Sequence, residues 1–156
     1  MKRLVSTVLG CGLIAATLAG ASPAHAFLMA TGAGMVAGTP TGASFISHTQ
    51  GYAFNTDTVS SHFASTWIPR DVVSGGFTST FNFSLKGNGQ AFTCFIYATN
   101  ANTGSVFSNS ASTSVNGATV IGVSITPPSG GLYGWTGACN IPKQLPSNFA
   151  RVYAIW

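Results

Sequence analysis

Residues 77–98 read FTSTFNFSLKGNGQAFTCFIYA. Before the central Gly-Asn-Gly, Phe77, Ser79, Phe81, Phe83 and Leu85 alternate with Thr78, Thr80, Asn82 and Ser84. After it, Phe92, Cys94, Ile96 and Ala98 form a second alternating row. A period of two is the signature of a pleated strand with one buried face. Asn88-Gly89 is the dipeptide favoured in two-residue hairpin loops, because both residues tolerate positive φ. The stretch therefore predicts a hairpin with Leu85 opposite Phe92, Phe83 opposite Cys94 and Phe81 opposite Ile96. That register puts both apolar rows on one face and Cys94 in the core, whereas a slip of one residue would put the rows on opposite faces.

Working outward, a second Asn-Gly at Asn116-Gly117 predicts another turn, with Val120 to Thr126 rising from it. Here Ile121, Val123 and Ile125 would face Ser112, Ser110 and Ser108. Either the serine-rich strand is an edge, or the isoleucine row pairs elsewhere. Pro127 to Gly131 is a loop by composition, Leu132 to Ile141 reads as a strand, and Phe149 to Trp156 reads as a closing one. His62 to Ile68 is a further strand. Phe27 to Thr56 carries no Asp, Glu, Lys or Arg and reads as an extended arm or edge strands. Beyond residue 26, no stretch of ten or more residues combines a helical apolar period with capping signals. The expectation is an all-β chain: a single-domain antiparallel β-sandwich, jelly-roll or Ig-like, of about eight strands. Residues 27–56 would form its arm and 57–156 its core, with a small β-barrel as the alternative.

The first 26 residues have a different character. Met1-Lys2-Arg3 is a positive start, Leu4 to Leu18 is apolar, and Ala24-His25-Ala26 is the small-x-small pattern of a signal peptidase site. Cleavage is expected between Ala26 and Phe27, which sends the mature chain to the periplasm, the cell surface or the medium. The whole chain has 6 basic and 2 acidic residues, a formal +4. Losing Lys2 and Arg3 leaves Arg70, Lys86, Lys143 and Arg151 against Asp57 and Asp71, or about +2. Nucleic-acid binding needs clustered phosphate-neutralising cations and is disfavoured. No transmembrane helix is expected. The cleaved segment also removes Cys11, leaving Cys94 and Cys139 as an even pair in an oxidising compartment. Bridged, they would close a loop of about 46 residues, worth about 4 kcal/mol in loop-closure entropy.

Catalytic chemistry has little to work with. A glycosidase needs two carboxyl groups flanking the bond, and Asp57 and Asp71 are the chain's only acidic side chains. Both fit turn capping better. His48 and His62 stand alone and match no metal-ligand spacing. There is no G-x-S-x-G elbow and no H-E-x-x-H helix. Neither an enzyme nor a cofactor or metal is expected. Binding has more support. Tyr133 and Trp135 are two apart and share a strand face, at a spacing suited to stacking on sugar rings. Gly131, Gly134 and Gly137 would leave those rings uncovered, unless the pair fills the core beside Cys139. Trp67 and Tyr97 are further exposed-aromatic candidates. With almost no charge to oppose contact, self-association is a second possibility, and the Phe27–Phe45 arm could add as a strand to a neighbouring sheet. The sequence thus points to a secreted, non-catalytic β-domain with a binding or assembly role and a neutral glycan or a like copy as partner. The alternatives are a glycan-binding module using exposed aromatics, a small secreted hydrolase, and a small outer-membrane barrel ending in the aromatic strand 152–156.

Overall fold

Alternating apolar residues in ten-residue runs demand a second layer to cover them, and the chain supplies two sheets. The computed structural model describes residues 30–70 and 73–156. The expected signal peptide, its expected cleavage between Ala26 and Phe27, and Asp71 lie outside the described residues. Twelve strands are described: β1 (Ala30–Thr31), β2 (Val36–Ala37), β3 (Ile46–Thr49), β4 (Tyr52–Asn55), β5 (His62–Trp67), β6 (Val73–Ser74), β7 (Ser79–Asn88), β8 (Phe92–Asn100), β9 (Val106–Thr113), β10 (Asn116–Ile125), β11 (Leu132–Ile141) and β12 (Arg151–Ile155). A 3-10 turn at Gly32–Gly34 and one α-helical turn, α1 (Pro40–Ala43), interrupt the N-terminal part.

Sheet I runs β10-β7-β12-β4-β3, with β1 also on β12. Sheet II runs β2-β5-β11-β8-β9, with β6 also on β11. Every pairing is antiparallel. Within this, β4-β12-β7-β10 lies against β5-β11-β8-β9. The chain crosses between the sheets after β1, β2, β4, β6, β7, β9, β10 and β11, and from β4 onward this is the double Greek key of a jelly roll rather than an Ig-like order. Both sheets keep open edges, so the small-barrel alternative, membrane-spanning or otherwise, is not the fold.

The 77–98 hairpin is corrected. β7 pairs with β10 and β12, β8 pairs with β9 and β11, and the two belong to different sheets. Their apolar rows meet across the sandwich instead of side by side. Phe81, Phe83, Leu85, Phe92, Cys94 and Ile96 are all buried, as the alternation required. Alternation determines which side of a strand is dry. It is equally satisfied by a hairpin covered by another layer or by an arch that covers itself. Local geometry decides between them. A two-residue hairpin of the I′ type needs positive φ at both loop residues, and here only Gly89 has it, at 87°. Asn88 is buried; its side-chain amide donates to the Lys143 carbonyl at 3.0 Å, and its Oδ1 accepts from the Gln90 N–H. The corner is thereby tied to a loop of the far end. The turn with both φ positive is Gln50-Gly51, at 44° and 89°, which joins β3 to β4.

Asn116-Gly117 repeats the lesson. β9 is the edge of sheet II, and Ile121 and Val123 pair with Phe83 and Phe81 in sheet I. Both halves of the sequence alternative hold. Phe77 drops out of its row: β7 begins at Ser79, and Phe77 is 72 % exposed in the preceding bend. Between the sheets, Phe81 packs on Trp135 with ring centroids 4.9 Å apart. Each such large side chain contributes about 1.5–3 kcal/mol by leaving water. The arm is not free. From residue 30 it pairs with β12 and then β5, buries Met35, and hairpins into the edge of sheet I.

Candidate functional site

Cross-strand partners share a face, so the register of sheet II lists what points outward. One row is Trp67, Thr136, Tyr97 and Ser108; the next is Ser65, Ala138, Phe95 and Ser110; the third is Phe63, Asn140, Thr93 and Ser112. Four aromatics therefore share the outer surface. Phe63 and Phe95 have centroids 5.9 Å apart, and Phe95 and Tyr97 stack at 6.1 Å with planes 17° apart. Trp67 is 58 % exposed and lies across Gly134, where any Cβ would strike the indole. With strands about 4.8 Å apart, Trp67 on β5 and Tyr97 on β8 flank a strip about 10 Å wide floored by Thr136 of β11. Hydroxyls and amides border the strip, and none of the described strand residues on this face is charged.

Of the four predicted aromatics, the structure brings Trp67 and Tyr97 together here and removes the other two. Tyr133 and Trp135 do share a face, but it is the inner one, where they are 2 % and 0 % exposed. The Tyr133 hydroxyl donates to the Pro128 carbonyl at 3.1 Å. The neighbouring glycines do not uncover the rings. Gly131 makes room for the Tyr133 ring, Gly137 admits Ile68 and Ile155 to the core, and Gly134 receives Trp67 from outside. Phe63 and Phe95 were missed, although Phe95 sits two residues from Tyr97 and Phe63 four from Trp67, each in the row alternating with the buried one.

Cys94 and Cys139 are bridged, directly opposite each other on β8 and β11, on the inner face. Each is the chain neighbour of an outer-row residue, Phe95 and Ala138. The disulfide thus fastens together the two strands under the aromatic strip.

Asp57 and His62 meet: the carboxylate and His62 Nε2 are 2.8 Å apart. A histidine–carboxylate pair is part of a nucleophilic triad only when a hydroxyl sits on the other ring nitrogen. Among the described residues, His62 has no hydrogen-bond partner but Asp57, and its ring stacks on Phe45 at 4.8 Å. Asp57 also accepts the Val59 N–H at 2.7 Å, and Asn55 accepts the Asp57 N–H and donates to Ser60 and Ile141. The cluster holds the crossing from β4 to β5. The Val59 N–H, followed by His62, keeps the Asp57 carboxyl below the usual carboxylate range. His48 turns to the Met35 carbonyl instead. Among the described residues, no group of three or more His, Cys, Asp or Glu could hold a metal.

No protein-family model matches the chain, and no curated protein matches it. Among solved structures, it is similar to one described as a low affinity xylan binding module from the xylanolytic gut symbiont Roseburia intestinalis. That match has 8 % identity and a TM-score of 0.46, and covers 81 % of this chain and 90 % of that one. The likeness is too distant to transfer a site.

Proposed function

We propose that this is a non-catalytic, exported glycan-binding domain that holds a neutral polysaccharide on the outer face of sheet II. The observation that carries the reading is the convergence of Phe63, Trp67, Phe95 and Tyr97 on one uncharged face. Pyranose rings present flat C–H faces that pack on aromatic rings, and the flanking Ser, Thr and Asn side chains offer both donors and acceptors to sugar hydroxyls. Exposed aromatics on a rigid sheet lose little conformational entropy when they bind. The signal sequence and the disulfide support export. Affinity electrophoresis against soluble neutral polysaccharides tests it. Retardation by at least one of them is expected, with Trp67→Ala weakening it about tenfold or more. No retardation by any, or equal retardation of the variant, would sink the reading.

Self-association is a second reading with its own observation. Strands β9 and β10 form one side of the sandwich as the free edges of the two sheets, and neither contains a charged residue or a proline. Natural edges usually carry such blocking devices. Val106 and Val120, 57 % and 56 % exposed, stand on this side. A concentration series by light scattering should show a dimer or larger species that Val120→Lys dissolves. A strict monomer at millimolar concentration would end the idea. The arm is a poor donor strand, since from residue 30 it is already paired.

A further inference from the structure

The outer face of sheet I has a chemistry of its own. One row across it reads Ser47, Phe54, Arg151, Lys86 and Ala118. Tyr52 packs edge-on against Tyr153 at 5.5 Å, and Phe54 against Phe149 at 5.4 Å, so this face too is aromatic. Tyr153 stands on it because it lies two residues beyond Arg151 in β12; the register shift between Val152 and Ala154 turns the next residues, bringing Ile155 inward opposite Phe83.

Arg151 and Lys86 are direct cross-strand partners. Like charges so placed repel, their Cβ atoms standing about 5 Å apart. Nothing described in the chain offsets this. The ion pair found among the described residues is His62 with Asp57, which is committed to its own loop. The Arg151 guanidinium carbon lies 4.6 Å from the Tyr52 ring centre, which orients the group, while its Nε is buried with no hydrogen-bond partner. Two adjacent cations with no counter-charge among the described residues, one of them oriented by an aromatic, call for an external anion.

We propose that this face binds the carboxylate of an acidic sugar, with the uronate ring resting against Tyr153. A guanidinium grips a carboxylate with two parallel hydrogen bonds, and the neighbouring ammonium adds a point charge. The tyrosines supply the apolar contact that a bare inorganic anion would not use. This site is independent of the neutral-glycan strip, which lies on the opposite side of the sandwich.

Isothermal titration with trigalacturonic acid at neutral pH, against its methyl ester, is the test. The acid should bind, and the ester, with the same rings but no charge, should bind about tenfold more weakly or worse. Affinity for the acid should fall as salt is raised. Arg151→Gln and Lys86→Gln should each weaken it about tenfold, with near-ultraviolet dichroism confirming the fold. Lys86→Gln keeps the test decisive if the more buried Arg151 variant fails to fold. Absence of binding by the folded wild-type protein, equal affinity for acid and ester, undiminished binding by Lys86→Gln, or loss of binding in Trp67→Ala would each overturn the proposal. So would a preference for a sulfated oligosaccharide over the uronate. Loss of binding in Trp67→Ala, or equal affinity for acid and ester, would place the sugar on sheet II instead, whereas the remaining outcomes leave the neutral-chain reading untouched.

Discussion

The two outer faces of the sandwich have the same number of clustered aromatics and different electrostatics, one uncharged and one cationic. Sheet II presents Phe63, Trp67, Phe95 and Tyr97 among hydroxyls and amides. Sheet I presents Tyr52, Phe54, Phe149 and Tyr153 around Arg151 and Lys86. Inner rows are apolar except at strand ends such as Ser79, Asn55 and Asn88, because each faces the other sheet. Outer rows escape that constraint, so specificity can be written there without disturbing the fold. Recognition by stacking alone should be insensitive to salt, whereas recognition through unscreened cations should not. The faces also differ in support. The Cys94–Cys139 bridge lies within sheet II, under Phe95 and Ala138. Sheet I has no comparable staple among the described residues, and its aromatics brace one another edge-on.

That difference in support can be broken first. Replacing both Cys94 and Cys139 by Ala should cost about 4 kcal/mol of stability, measured by urea unfolding. Under conditions where the variant remains folded, hydrogen exchange should rise along β8 and β11 before it rises along β7 and β12. Equal loosening of both sheets would mean that the staple does not favour the aromatic strip. A smaller and more local change is Gly134→Ala. Its methyl group would meet the Trp67 indole, so the ring must swing off its seat. Stability should fall by about 1–3 kcal/mol, and the neutral-glycan affinity should change while the acidic-sugar affinity of sheet I stays constant. Parallel changes at both faces would show that they are coupled through the core.

Much of this molecule was legible as a set of strands and faces, and little of it as pairings. The strand Leu132–Ile141 is where the residues placed it, and the buried row of residues 81–98 is the buried row of the structure. The disulfide followed from counting cysteines. Pairing was not legible, because alternation has the same form in a hairpin and in an arch. The choice rests on long-range facts: Asn88 reaches Lys143, and Val115 closes over Gly87. For the site, Trp67 and Tyr97 were visible as aromatics, yet Tyr133 and Trp135 looked equally good. What separates the pairs is parity: relative to Cys94 and Cys139, which face inward, Tyr97 lies an odd number of residues away and Trp135 an even number. Applying that rule from the cysteines outward finds Phe95 as well, and the cysteine pairing gives the rule its origin. The Arg151–Lys86 juxtaposition had no sequence signal, since it depends on the register of two strands 65 positions apart.

The smallest expected effect concerns the link between the faces. The crossing from β4 in sheet I to β5 in sheet II is held by Asp57, whose carboxyl is kept below its usual range chiefly by the Val59 N–H and then by His62. A group with a depressed folded-state value binds its proton less readily in the folded chain than in the unfolded one. Its contribution is complete above the ordinary carboxylate range and is lost as pH falls through that range to the lower folded value. The urea midpoint should therefore drop on acidification, and Asp57→Asn should begin lower and show a flatter acid limb. Neutral-glycan binding should not follow that limb while the protein stays folded, since no described strand residue on the outer face of sheet II titrates there. Acidic-sugar binding should weaken over the same acid range as the ligand's own carboxylate is protonated, in wild type and Asp57→Asn alike. If Asp57→Asn instead shifted the acid limb of binding on either face, the crossing would be part of a site and not merely the strut between the two sheets.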